Sequence, residues 1–340
     1  MNRFSYHRGA DVADAVRAAG ADAGSHFIAG GTNLVDLMKY RVEQPSSLVD
    51  INKLPELREI RRTEGGGLLI GALVSNTQAA YAPEVLEDHP LLSTTILAGA
   101  TPQLRNMATT GGNLLQRTRC YYFYDVQTPC NKREPGTGCP ARTGLNRTLA
   151  VLGTSPHCIA THPSDMCVAL AALEAVVHVE GGNGKRTIPM AEFHRLPGDY
   201  PEQDTTLAHG ELITAVELPP PGDDSGHYTY LKVRDRLSYA FALVSAAVKL
   251  TMDGGTVAKA RIALGGVAHK PWRVPEAEAL LEGQPPGPDA FAAVAERLLH
   301  GARGYGENDF KIELARRTTV RALEQAANNT PQSQVDKRIV

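Results

Sequence analysis

Apolar positions along the chain fall into two periods. From residue 11 to 20, Asp11 stands where a cap is needed and Val12, Ala15, Val16 and Ala19 share one stripe, which predicts a helix. His26-Phe27-Ile28-Ala29 predicts a short buried strand running straight into Gly30-Gly31-Thr32-Asn33, after which Leu34, Leu37 and Met38 repeat with helical spacing. Strands are expected at Ser47 to Ile51 and Gly67 to Ala72, then a helical stretch from about Pro90 to Arg105, then Thr109-Thr110-Gly111-Gly112-Asn113-Leu114. Ser164 is placed to cap a helix reaching about Glu174, and a hairpin follows around Gly181-Gly182-Asn183-Gly184. Another strand, Glu211 to Leu218, ends at a linker, Pro219 to Gly226. Beyond it, strands at Tyr228 to Arg234, Ala240 to Leu250 and Val257 to Leu264 precede helices near Asp289 to Leu299 and Asn308 to Ala326. Strands followed by helices predict a separate α+β domain, with a polar, mobile tail at 328–340.

At 340 residues the chain is long enough for about two domains. Its 35 Lys+Arg against 37 Asp+Glu exclude the basic excess of a dedicated nucleic-acid binder. With 6% aromatic residues, a stacking platform for single strands is not expected either. A hydrophobic content of 42% separates the chain from disordered proteins. No apolar run reaches the roughly 18 residues of a membrane span, so no membrane insertion is expected. The N-terminus has neither an apolar core segment nor a twin-Arg pair, so no export signal of its own is expected.

The five cysteines are concentrated in one region, with the spacing Cys120-x9-Cys130-x8-Cys139-x18-Cys158 and then Cys167. An odd count without a signal segment argues against a disulfide framework. Thr128-Pro129, Glu134-Pro135-Gly136 and Gly138-Cys139-Pro140 make the stretch loop-like, as a chain wrapping a compact object would be. Cys167 sits instead in an apolar helical pattern and reads as a small core residue. The close Cys-x2–4-Cys knuckles of structural zinc sites are missing, yet four thiolates suit zinc or an iron–sulfur cluster, and the spacing leaves both open. Arg117, Arg119, Lys132, Arg133, Arg142 and Arg147 meet only Asp125 and Glu134 within the stretch, a basic setting that favours an anionic cluster.

A strand, a glycine turn and a helix start aim backbone N–H groups at a phosphate. Phe27-Ile28-Ala29-Gly30-Gly31-Thr32-Asn33-Leu34 has this form, and Thr110-Gly111-Gly112-Asn113 repeats its chemistry, so the two loops are either a pair of ordinary tight turns or a grip on both sides of one pyrophosphate. Neither is a GxGxxG fingerprint or a P-loop. Asp165 is a helix-start anion or an acceptor for a ligand hydroxyl. Lys232 and Arg234 share a strand face that meets either solvent or a phosphate or flavin. His162 is a loop residue or a general base without an identifiable partner. Tyr121, Tyr122, Phe123 and Tyr124 either pack over a bound group or close the loop.

The two glycine loops in order, the Ser164-Asp165 step, Lys232 and Gly265-Gly266-Val267-Ala268 resemble the medium subunits of molybdenum hydroxylases, the xanthine dehydrogenase and carbon monoxide dehydrogenase family, over residues 3–325. Most such subunits lack a counterpart of 115–160. That insertion is similar to the one in the FAD subunit of bacterial periplasmic aldehyde oxidoreductase, which binds a [4Fe–4S] cluster. The resemblance implies FAD at the glycine loops, Asp165 and Lys232, and cluster ligation by Cys120, Cys130, Cys139 and Cys158.

It also implies an α+β architecture. An FAD-binding region of the vanillyl-alcohol-oxidase/PCMH type would span 1–220, in two subdomains of about 1–57 and 58–220, with a carboxy-terminal α+β domain at 226–327. The implied assembly is a heterotrimer with a small [2Fe–2S] subunit and a large molybdopterin subunit. There the chain would pass electrons to an external acceptor, in the cytoplasm or in the periplasm by co-export with the small subunit. A 4-hydroxybenzoyl-CoA reductase-like enzyme is the rival within the family, and a metal-binding scaffold without flavin turnover is the rival outside it.

Overall fold

The computed structural model describes residues 1–222 and 227–334. At the N-terminus, β1 (Ser5–Arg8), β2 (Ser25–Ile28) and β3 (Ser47–Asp50) form a parallel sheet in the order β1-β3-β2. Parallel neighbours need crossovers, and α1 (Val12–Gly20) and α2 (Leu34–Lys39) occupy them. Asp11 caps α1 by accepting from the Asp14 N–H, and Ala15, Val16 and Ala19 are buried, as the stripe predicts. The carboxyl end of β2 opens directly into Gly30-Gly31, the sheet edge where α/β folds place ligands.

The second sheet is antiparallel, ordered β4-β5-β8-β6-β7 from Ile60–Arg62, Leu68–Gly71, Leu212–Leu218, Val176–Gly181 and Gly184–Pro189. Against it pack α3 (Asn76–Tyr81), α4 (Pro83–Asp88), α5 (Pro90–Ala98), α7 (Thr110–Leu114), α9 (Asp165–Ala172) and α10 (Met190–Phe193), with a core of Leu91, Ile96, Leu170, Val177 and Val216, while α6 (Pro102–Met107) lies on α3 and α8 (Tyr121–Tyr124) packs in a separate cluster with Leu37 and the cysteines. Ser164 caps α9 through the Cys167 N–H, as expected. The single helix expected from Pro90 to Arg105 is two. Ala100 adopts φ +51 and Thr101 is extended before Pro102, which has no N–H to continue a helical ladder. The break leaves the Ala98 carbonyl free to accept from Lys232 Nζ at 3.2 Å and from Arg234 at 2.9 Å.

The third sheet, ordered β11-β10-β9, is antiparallel and consists of β9 (Tyr228–Val233), β10 (Val244–Asp253) and β11 (Thr256–Gly265). It is followed by α11 (Pro275–Glu278), α12 (Pro288–Leu298) and α13 (Phe310–Ala327), whose apolar faces share a core with Val248, Leu250 and Ile262. Strand β10 begins at Val244 rather than Ala240, because residues 240–243 belong to a loop facing the main cleft. The expected linker lies partly outside the described residues, as does 335–340 of the expected tail. The start of that tail is held: the Thr330 N–H reaches the Gln325 carbonyl at 2.8 Å, and Gln332 bonds to Thr229 and the Lys232 N–H on β9. Among the described residues no helix is long and apolar enough to cross a membrane.

Candidate functional site

A cleft of about 1120 Å³ runs between the parallel sheet, α7, α9 and the third sheet. All eight residues from Phe27 to Leu34 line it, as do Gly111, Gly112, Asn113, Asp165 and Lys232. The two glycine loops touch each other: a Cβ on Gly30 would lie 1.8 Å from the Met107 carbonyl oxygen. Gly31 has φ +72, a left-handed conformation that favours glycine. No described residue accepts a hydrogen bond from the backbone N–H groups of residues 30–33, and the Asn33 side-chain nitrogen is buried without a partner. These donors fit an anionic, oxygen-rich group such as a pyrophosphate.

The second loop is not equivalent to the first. Its Thr110 N–H and Gly111 N–H are already given to the Val74 and Ala72 carbonyls, and Thr109 caps α7 by accepting from the Gly112 N–H. Thr110 itself points inward, its hydroxyl 3.0 Å from the Val74 carbonyl, so Thr109 takes the place in the cleft wall expected of it. Gly111 is small because a Cβ would press on Ala72 at 3.0 Å, which is a packing reason rather than a ligand-facing one.

Asp165 and Lys232 form a buried ion pair at 2.7 Å on the cleft wall. The Tyr230 hydroxyl donates to the other carboxylate oxygen of Asp165 at 2.5 Å, and burial pushes that hydroxyl's pKa well above its ordinary value. Asp165 is therefore braced by two protein donors as well as being open to the cleft. His162 is no free base. Its ring stacks on His194 with centroids 4.2 Å apart, both Nε2 atoms face the Leu114 carbonyl, and burial holds its pKa well below the ordinary value. Glu43, Arg236, Tyr239 and Phe241 also line the cleft. Their exposed loops carry no periodicity that singles them out, and only the Tyr239 backbone, at φ +50, is unusual.

The insertion is almost all loop around α8 and a 3-10 turn at Pro140–Arg142. Cys120, Cys130, Cys139 and Cys158 converge on one small hollow, whereas Cys167 lies fully buried in α9. Cys120 holds the N-cap position of α8 with its carbonyl accepting from the Phe123 and Tyr124 N–H groups, and the Cys130 carbonyl accepts from those of Arg133 and Glu134. Burial pushes the Cys120 thiol up to about 12. Thiols this buried ionise when a bound cation balances the charge.

A zinc ion bound by thiolates at ~2.3 Å would hold the sulfurs about 3.8 Å apart. Among the described residues, the three potential ligands with donor atoms within 4.8 Å of one another are His162, Cys167 and His194 and not three of the converging cysteines, although the Cys139 and Cys158 thiols touch each other. Four thiol donors on one hollow fit a thiophilic metal centre, a zinc ion or an iron–sulfur cluster.

The positive charge expected around the cysteines is largely answered by distant acids. Lys132 and Arg117 pair with Asp204, Arg117 also with Glu43, Arg119 with Asp36 at 3.1 Å and Arg147 with Asp235 at 2.9 Å. Arg133 instead donates to the Tyr122 and Phe123 carbonyls. Of the aromatic run, Tyr121 faces the cleft, whereas Tyr122 and Phe123 line the hollow. Adjacent residues, Cys120 and Tyr121, therefore line the hollow and the cleft.

Residues 2–221 match the family model described as the FAD binding domain in molybdopterin dehydrogenase, and residues 228–326 match the CO dehydrogenase flavoprotein C-terminal domain. The chain is 51% identical over 327 residues to the aldehyde oxidoreductase FAD-binding subunit PaoB of Escherichia coli, covering 96% of this chain and 99% of that one. It is 30% identical to the carbon monoxide dehydrogenase medium chain of Hydrogenophaga pseudoflava, covering 95% and 97% of the two chains. A solved carbon monoxide dehydrogenase structure from that organism superposes with a TM-score of 0.76 at 29% identity, over 96% of this chain and 98% of that one. Sequence, fold and cleft agree: the chain belongs to the molybdenum hydroxylase family as an FAD-binding medium subunit of a molybdenum-dependent oxidoreductase.

Proposed function

We propose that this chain is the FAD- and [4Fe–4S]-carrying subunit of an aldehyde oxidoreductase, receiving electrons from a small [2Fe–2S] subunit and delivering them to an external acceptor. Substrate oxidation would belong to a large molybdopterin subunit of the same heterotrimer. The observation that carries the reading is the convergence of Cys120, Cys130, Cys139 and Cys158 on one hollow, next to Tyr121 on the cleft wall. The 51% identity to an aldehyde oxidoreductase FAD-binding subunit supports the aldehyde assignment.

FAD supplies two-electron to one-electron conversion when bound. The chain's own residues hold it. The free N–H groups of 30–33 take the pyrophosphate, Asn33 fills its side-chain donor, and the Gly30–Met107 contact fixes the loop spacing. Asp165, braced by Lys232 and Tyr230, accepts from a cofactor hydroxyl or ring N–H.

The test is iron and acid-labile sulfide analysis across five serine variants. Serine at Cys120, Cys130, Cys139 or Cys158 lowers iron, and serine at Cys167 leaves it unchanged. Equal iron in all five, or zinc in the unaltered protein, overturns the cluster assignment.

A further inference from the structure

The segment Gly265-Gly266-Val267-Ala268 and the histidine that follows it have no part in the account so far. Gly266, at φ +73, turns the chain as it leaves β11. From there the segment is bound to the carboxy-terminal part of the insertion and to a residue just beyond it. The Val267 carbonyl accepts from the Val151 and Leu152 N–H groups, both at 3.0 Å, and the Ala268 carbonyl accepts from the His162 N–H at 3.0 Å. The Gly266 carbonyl accepts from Lys311 Nζ at 2.6 Å, which ties the same segment to α13.

These bonds bring His269 against the insertion. The residue is 7% exposed, and neither ring nitrogen has a hydrogen-bond partner. Its ring borders Cys158, one of the four converging thiols. A neutral imidazole always carries one N–H. A protonated thiol is a poor acceptor for it, whereas a thiolate in a cluster is a charged one, and hydrogen bonds to charged acceptors are the stronger kind. A metal-bound Cys158 sulfur would give that unpartnered N–H a charged acceptor.

We propose that His269 donates a hydrogen bond to the Cys158 sulfur of the bound cluster, so that the carboxy-terminal domain raises the cluster's reduction potential. The inference rests on the cluster reading above. Reduction adds negative charge to the cluster, and a donor at a ligand sulfur stabilises the more negative form. His269 is accordingly a positioning residue that acts through Cys158.

The experiment is a redox titration followed by electron paramagnetic resonance on the purified, iron-loaded full chain. It compares the unaltered protein with His269→Phe, which keeps ring volume without a donor, and His269→Gln, which keeps a donor. The expected result for His269→Phe is a tenfold weaker reduction equilibrium, a shift of about 59 mV to lower potential for a one-electron couple. His269→Gln should recover at least half of that shift. Should His269→Phe fail to retain the cluster, His269→Leu takes its place. Full iron with an unchanged potential in a donor-free variant overturns the role of His269 and leaves the cluster standing. No iron–sulfur signal in the unaltered protein overturns both.

Discussion

Replacing Gly30 by alanine tests whether the two glycine loops work as one site. The added methyl would lie 1.8 Å from the Met107 carbonyl oxygen and 2.8 Å from its carbonyl carbon, and backbone atoms cannot rotate away. One loop must therefore move by roughly 1.5 Å to reach ordinary close packing. The Met107 side is anchored, since the next residue, Ala108, bonds through its N–H to the Leu104 carbonyl and through its carbonyl to the Asn76 N–H, both at 2.8 Å. The shift thus falls on residues 30–33, whose N–H groups are the free donors. Moving a donor by about 1.5 Å takes a hydrogen bond of about 2.9 Å out of range. Each bond to a charged group contributes ~1.5–3 kcal/mol. Losing two costs ~3–6 kcal/mol, roughly two to four powers of ten in flavin affinity.

Gly31→Ala is the contrast. Its methyl would meet only the end of the Val35 side chain, at 3.1 Å, and the left-handed backbone costs ~1–2 kcal/mol. That loss is small beside a typical stability of ~5–15 kcal/mol, so the fold is kept. The assay is FAD titration of the apoprotein by flavin fluorescence, with circular dichroism to establish folding. A folded Gly30→Ala protein that binds FAD as tightly as the unaltered chain would refute the paired-loop reasoning.

Three further outcomes are expected. Lys232→Met leaves the buried Asp165 carboxylate without its cation, which should cost ~3–5 kcal/mol in urea unfolding of the apoprotein; a loss below about 1 kcal/mol would remove the pair from the account. Lys132 and Arg117 hold the Asp204 carboxyl, against the cost of burial, well below the usual carboxylate range. Because its folded pKa is depressed, the stabilisation is complete above the unfolded value of about 3.9 and fades as pH falls through the lower folded value. The stability gap between the unaltered chain and Asp204→Asn should therefore be full near neutrality and narrow below about pH 4; a gap that does not change with pH contradicts the ion-pair anchor. Finally, deleting residues 328–340 should weaken binding of the partner subunits more than FAD binding, since Gln332 touches β9 but not the glycine loops; pull-down and flavin titration on one preparation decide between them.

Local chemistry made much of the architecture legible. The Asp11 and Ser164 caps, the hairpin glycines and the strand-glycine-helix order each act within a few residues, and the structure places them as expected. What stayed hidden depends on partners far along the chain. Arg117 lies 87 residues from Asp204 and 74 from Glu43, so a local charge count overstated the basic setting of the cysteines. The apolar run from Pro90 to Arg105 hides a left-handed Ala100, because periodicity reports burial and not backbone torsion. Thr110 turns inward for a similar reason: its partner, Val74, is 36 residues away. The helix after Ser75 was accessible, since Ser75 and Gln78 form a capping box readable at a spacing of three.

The central claim is that this chain relays electrons and does not itself oxidise substrate. The most direct measurement compares aldehyde turnover by the purified single chain, loaded with FAD and iron, with turnover after co-expression with a [2Fe–2S] subunit and a molybdopterin subunit. The account predicts no aldehyde oxidation by the single chain, with flavin still reducible by an artificial donor, and aldehyde-dependent flavin reduction in the complex. Substantial aldehyde turnover by the single chain would contradict it.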